Sequence, residues 1–374
     1  MARRNPPGQL SGTADKVQFA FASLADDADL RRLLRETPMR GAISVGFTHE
    51  PDYFLGTALA GADDRTLLAR ESGRLVAAGR CTTRPCWLNG EVRRVAYLGE
   101  LRLAHSVQGR WDIIRGGYAF FAAAYARDPA DFCYTSIIAD NTRARRLFER
   151  GAPGLPRYEF IGEHVSLLLP ATTGPAPAGF TVTTGADLPV EALAEFLNAA
   201  ARDRQLAAHW TPDRLRSLAG HGLQLADFIV LKRGTEIAAC AGAWDQHAFR
   251  QILVTSYSPL LAAARPGYNL LAPLLGQPRL PPAGSFLRQA FLSPWGCRSS
   301  DAAAWSALVQ VARTTAARRG LEYLALGGTT NDPGLQGLRG RRYLSRLYRV
   351  DWPGAERIAC ELDARPCLPD ISLL

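Results

Sequence analysis

The sequence predicts an α/β chain of the α+β kind: two tandem domains, each a central mixed, mostly antiparallel sheet flanked by helices. Three observations carry this reading. Residues 95–105 are rich in β-formers, residues 106–110 make a short polar turn, and from Trp111 the apolar spacing is helical to about Tyr125. Hairpin signals precede that unit at Ser72-Gly73 and at Asn89-Gly90, the second suited to a type I′ turn. After a Pro/Gly/Ala-rich stretch at 170–179 the same order of elements returns. At 374 residues the chain exceeds one ordinary core and fits two.

Taken in order, residues 16–23 alternate large and small side chains as a strand does. Residues 25–36 space Leu30, Leu33 and Leu34 on one helical face, with Asp26, Asp27 and Asp29 in the first turn, where the helix dipole favours them. Residues 41–48 read as a loop or short extended piece, and residues 50–60 as a second helix with Pro51 near its start. Strands follow at 65–71 and 74–83, then the strand–turn–helix unit, then a strand at 131–139. Asp140 or Asn141 caps a helix at 142–150 that Gly151 ends, and residues 158–169 close the half as one or two strands. In the second half a strand at 180–184, helices at 188–203 and 212–218 and a hairpin at 228–242 echo the first half. A strand at 286–292, a helix at 301–319, a strand at 321–326 and a closing strand at 343–352 complete the repeat. The expected boundaries are a disordered tail at 1–15, a first domain at 16–169, a linker at 170–179, a second domain at 180–352 and a C-terminal tail at 353–374.

The net charge of +9 rests almost wholly on arginine, since Lys16 and Lys232 are the only lysines. The charges are dispersed and form no basic stripe with interleaved aromatics, so a nucleic-acid partner is not expected, whereas a phosphate-bearing small molecule needs only a few of them. The seven cysteines show no CxxC or His pairing at zinc spacing, which predicts reduced thiols, no metal and a cytoplasmic setting. No apolar run approaches the roughly 18 residues of a membrane span, and residues 1–16 lack the apolar core of a secretory signal, so no membrane partner is expected.

Two short motifs bear a family resemblance. Leu101-Arg102-Leu103 ends the strand, Gln108-Gly109-Arg110 opens the turn, and Asn141-Thr-Arg-Ala144-Arg-Arg-Leu147-Phe148-Glu-Arg-Gly151 follows the next strand. This pattern resembles the Gcn5-related N-acetyltransferase (GNAT) superfamily, arranged here as a tandem of two copies. The resemblance implies an N-acyltransferase, with acetyl-CoA or another acyl-CoA as co-substrate and a small-molecule amine as acceptor. By the same resemblance Leu101, Leu103, Gln108, Gly109 and Arg110 hold the coenzyme pyrophosphate and thioester, and Asn141, Ala144 and Phe148 line the pantetheine arm. The later glycines of the turn are absent, with Trp111 and Ile113 in their places, and Phe148 stands where many members carry the tyrosine that protonates the departing thiolate. The second copy has Ser293-Pro294-Trp295-Gly296 in place of the turn and Pro333 after Asn331, so it is expected not to bind coenzyme A and to buttress the first.

The acceptor amine must lose a proton, and the candidates on the strand are Glu100 and Tyr97, which alternation sets on opposite faces. A Glu100–Arg102 surface pair is the competing structural reading, as a plain helix cap is for Asn141. His49, Glu50 and Tyr53 cluster where the family shapes its acceptor pocket. An aminoacyl-tRNA-dependent transferase of the same fold and a catalytically inactive binding protein are the alternatives to the acyl-CoA enzyme.

Overall fold

The computed structural model describes residues 17–57, 59, 63–298, 301–352 and 361–374. The expected tail at 1–15 lies outside them. The first half runs β1 (Gln18–Phe21), α1 (Asp27–Glu36), β2 (Ile43–Thr48), β3 (Asp63–Glu71), β4 (Arg74–Leu88), β5 (Glu91–Leu103), α2 (Trp111–Tyr125), β6 (Phe132–Ile138), α3 (Thr142–Glu149) and β7 (Arg157–Pro170). The second runs β8 (Thr181–Thr184), α4 (Val190–Ala201), α5 (Pro212–Ser217), β9 (Phe228–Arg233), β10 (Glu236–Trp244), β11 (Gln251–Tyr257), α6 (Pro259–Leu271), β12 (Gln289–Cys297), α7 (Ala302–Arg318), β13 (Tyr323–Gly328) and β14 (Arg341–Asp351).

The strands form one 12-stranded sheet in the order β1-β3-β4-β5-β6-β14-β7-β13-β12-β10-β9-β8. Only the β5–β6 and β12–β13 pairs are parallel, so the sheet is mixed and mostly antiparallel as expected. The halves are interlocked: β14, from the end of the chain, lies between β6 and β7, and β7 pairs on its other side with β13. A second, two-stranded sheet joins β2 to β11 and ties the halves again.

Alternation along the strands sets the layers. Ile229, Leu231, Ala239 and Ala241 pack under α7, while Val230 and Cys240 pack under α4 and α5. In the first half Leu68, Leu75 and Ala77 cover α1, and Cys81, Ala96 and Cys133 pack with Phe121 and Tyr125 of α2. Val350 and Trp352 of the closing strand join that last cluster, so the second half completes the core of the first.

Two expectations differ from the structure. Residues 50–60 hold no second helix among the described positions, only a 3-10 turn at Tyr53–Gly56 that the Asp52 side chain caps on the Phe54 amide. Residues 361–374 are not a loose tail. The Gln205 amide donates to the Pro366 carbonyl and the Leu368 amide donates back to the Gln205 carbonyl, Arg84 donates to the Leu373 carbonyl at 2.8 Å, and Cys367, Ser372 and Leu373 are buried. The strand β11 and helix α6 were not foreseen; α6 contains Pro266 and glycine, which weaken a helical pattern. Among the described residues the six cysteines are free, and no helix is long and apolar enough to cross a membrane.

Candidate functional site

Parallel pairing of β5 with β6 lasts only from Val95–Phe132 to Leu98–Thr135, after which the strands part. Thr135 marks the divergence by donating its hydroxyl to the Leu98 carbonyl at 2.6 Å. Just past it, Ala78 faces Arg102 and Arg80 faces Gly99, so Glu100 and Leu101 together oppose Gly79 in a β-bulge. Glu100 takes φ 53°, a left-handed conformation that costs a non-glycine residue about a kcal/mol or more. The bulge breaks the alternation that would have set Tyr97 and Glu100 on opposite faces, and both line one cavity of about 480 Å³.

Glu100 is held by a buried polar cluster. His49 Nε2 lies 3.1 Å from Glu100 Oε1, the Tyr53 hydroxyl donates to Glu100 Oε2 at 3.1 Å, and an Arg80 nitrogen lies 3.6 Å from Oε1. Arg80 is in turn bound by Asp64, with Nε 2.9 Å from Oδ1. Burial pushes the Glu100 carboxyl up, but the charges of His49 and Arg80 outweigh it and hold the group well below the ordinary carboxylate range. The expected Glu100–Arg102 surface pair does not form; the Arg102 guanidinium donates to the Leu101 carbonyl at 3.1 Å and borders the cavity. His49 is placed from a distance. Gln251 of β11 accepts from the Thr48 hydroxyl and the Glu50 amide and donates to the Glu50 carbonyl, which fixes the segment on either side of it. Glu50 points away and is bound by Arg31 and Arg35.

The opposite wall comes from α2 and α3. Asn141 caps α3 by accepting from the Ala144 amide at 3.1 Å, and Asn141, Ala144 and Phe148 all line the cavity. The Phe148 ring stacks on Tyr158 with centroids 4.5 Å apart, and the Tyr158 and Tyr118 hydroxyls meet at 2.6 Å. Both tyrosines border the cavity, and burial raises both above the usual phenol range, so both are protonated at neutral pH. They put hydroxyls beside the ring whose own hydroxyl is missing. Tyr97 meets Ser136 across the parting strands at 2.8 Å.

The turn before α2 is less open than its residues suggested. Gly109 adopts φ 92°, where glycine is at ease. Arg110 is tied to Glu71 and Asp112, and Asp112 also accepts from the first amides of α2. Gln108, Gly109 and Arg110 do not border the cavity, whereas Leu101 and Leu103 do. Arg143, in the first turn of α3, reaches Gln108 at 3.5 Å and has no carboxylate partner among the described residues.

Four contributors were missed by sequence reasoning: Arg80, Tyr118, Tyr158 and the second-half wall of Gln246, His247 and Arg250. Arg143 was readable, since it sits two residues after Asn141 in the motif. The second-half wall was not, because only the β2–β11 pairing brings it across. His247 places Nδ1 2.5 Å from Asp245 and Nε2 2.5 Å from the Leu287 carbonyl. The Asp245 bond raises its pKa, and both ring nitrogens face acceptors, an arrangement that favours the protonated ring. Among the described residues no cluster of His, Cys, Asp and Glu could hold a metal ion.

Comparison with solved structures gives the fold a context. A GCN5-related N-acetyltransferase from Sphaerobacter thermophilus matches at TM-score 0.51 and 14% identity, over 91% of this chain and 98% of that one. N-myristoyltransferase from Saccharomyces cerevisiae with bound myristoyl-CoA matches at TM-score 0.58 and 11% identity, over 97% and 89%. The GCN5-related glucosamine N-acetyltransferase region of a fungal multi-domain β-N-acetylglucosaminidase matches at TM-score 0.59 and 13% identity, over 92% of this chain and 39% of that one. No known family profile matches the sequence, and neither does any curated protein sequence. The chain thus has the GNAT fold, and identities this low speak for the fold alone.

Proposed function

We propose that this chain is an acyl-CoA-dependent N-acyltransferase whose acceptor amine meets the donor thioester beside Glu100. One observation carries the reading. Where β5 and β6 part, a carboxylate held well below its usual range and a wall of protonated tyrosines and apolar side chains face the same cavity. The neighbours of this fold include N-acetyl- and N-myristoyltransferases, which supports acyl transfer from an acyl-CoA.

The donor arm lies along Asn141, Ala144 and Phe148, with its phosphates towards Arg143 and the Gln108–Arg110 turn. Glu100 attracts the acceptor as an ammonium. Loss of one proton frees the nitrogen lone pair to attack the thioester carbon, and the C–S bond breaks as the C–N bond forms. A carboxylate held so far below its usual range is a weak base, so Glu100 chiefly holds and orients the ammonium, and the proton leaves to water in the cavity. Tyr158 or Tyr118 supplies a proton to the leaving thiolate in place of the missing Phe148 hydroxyl. A backbone N–H of the bulged strand, near Leu101 or Leu103, polarises the carbonyl. The second copy binds no coenzyme.

The test is thermal unfolding with saturating acetyl-CoA, myristoyl-CoA or free coenzyme A, followed by thiol release with a panel of amines. A ligand at about a hundred times its dissociation constant adds roughly 2.7 kcal/mol, visible as a shift of a few degrees. A shift with one acyl-CoA, and thiol release that Glu100→Gln abolishes, are the expected results. No shift with any donor defeats the reading, and a shift without release on any amine leaves a binding protein.

A further inference from the structure

The helix α6 and the turn after it stand apart from the core. No residue of the α6 helix is buried, and Leu260, Leu270 and Leu274 are 83%, 77% and 82% exposed, with Leu271 and Leu275 also largely bare. So much leucine on one convex element is unusual for a surface facing water. Its charge is equally one-sided. Between Asp245 and Asp301 the chain has no acidic residue. Arg265 lies at the foot of the helix, held by the Leu280 carbonyl and the Tyr257 ring. Arg279 follows the turn, and the Arg339 stem lies over Gly276. Among the described residues none of Arg265, Arg279 and Arg339 has a carboxylate partner, while Arg31, Arg70, Arg80 and Arg94 of the first half are all paired.

We propose that α6 and the following turn form a peripheral docking surface for an anionic lipid bilayer, the exposed leucines entering the interface and Arg265, Arg279 and Arg339 meeting lipid phosphates. Exposed leucines rimmed by unpaired cations are what an interfacial helix needs, apolar area together with attraction to anionic headgroups. A second copy fits less well, because a twofold contact through this face would set the unpaired arginines against each other. The inference departs from the sequence expectation of no membrane partner, which rested on the lack of a spanning run and of a secretory signal. It is independent of the acyl-transfer reading, since no residue of α6 borders the cavity.

The experiment is co-sedimentation of the full chain with vesicles of phosphatidylcholine alone or with phosphatidylglycerol added. Binding to the anionic vesicles and loss of it in L270D/L274D are expected, with thermal unfolding unchanged because both positions are exposed. Reversing Arg279 and Arg339 to glutamate should weaken the partition by about tenfold or more, at roughly 1 kcal/mol for each basic residue near the surface. A Leu274→Trp reporter should shift its emission to the blue on anionic vesicles. Partition that ignores anionic lipid, or is equal in L270D/L274D, overturns the proposal. So does self-association that L270D/L274D dissolves without any vesicle binding, which would assign the face to a second copy.

Discussion

The two parallel strand pairs, β5–β6 and β12–β13, are each joined by a long helix, α2 in the first and α7 in the second, yet one opens a cavity and the other is filled. Past Leu98 and Thr135 the first leaves about 480 Å³. Past Phe291 and Ala325 the second leaves about 30 Å³. The filling is specific. The Trp295 and Trp305 rings lie tilted against each other with centroids 4.7 Å apart, Arg204 lies over the Trp295 ring at 3.8 Å, and Ile371 from the C-terminal segment sits so close over Gly327 that a side chain there would clash. Ser293, within β12, donates to the half-buried Asp370 at 2.6 Å. Helix α7 offers Ala304, Ala312 and Ala316 to the sheet and packs closely, whereas α2 offers Gly117 and the large rings of Tyr118 and Phe121, which stand at the rim of a space. A supersecondary unit therefore carries no function by itself; the side chains that occupy the parting of its strands decide.

The predictions sharpen that contrast, largest effect first. Glu100→Gln should lower kcat by about 100-fold or more at unchanged donor affinity, the scale of losing a group that orients the acceptor, read by thiol release. Trp305→Ala, at the filled parting, should cost about 3–5 kcal/mol in denaturant unfolding while leaving the donor-induced thermal shift in place. Ala144→Phe, at the open one, should do the reverse, erasing a donor stabilisation of roughly 2.7 kcal/mol with little change in the unliganded protein. Asn141→Ala removes a cap and should cost about 1 kcal/mol of stability while raising the donor KM. If the donor KM also rises more in Arg143→Ala than in Arg110→Ala, the phosphates lie towards α3.

The smallest effect is on pH. Glu100 is depressed below its ordinary pKa, so its charge contributes stability that is present above about pH 4.3 and is lost as pH falls through the folded value. Removing the charge of His49 by His49→Asn should move the Glu100 pKa upward. The acid limb of kcat/KM and the acid unfolding midpoint should both shift to higher pH, and limbs that coincide with wild type would separate His49 from Glu100.

The α3 wall of the cavity was legible because its motif is local. Asn141, Ala144 and Phe148 lie on one short helix, and helical spacing alone aligns them. The polar cluster around Glu100 was half legible. His49 and Tyr53 do meet Glu100, but Glu50, adjacent in sequence, is turned to Arg31 and Arg35. Alternation misplaced Glu100 against Tyr97 because a bulge leaves no periodic trace, and Arg80 reaches Glu100 only through that bulge.

The sequence by itself determined the order of most of the elements and the fold class, since period and turn chemistry act over neighbouring residues. Tertiary structure alone decided that β14 enters the first half between β6 and β7, that the 361–374 segment packs inward, and that one parting of strands is empty and the other full. Those outcomes rest on contacts between residues far apart along the chain, where pairing and packing volume choose among arrangements that local propensity leaves equal.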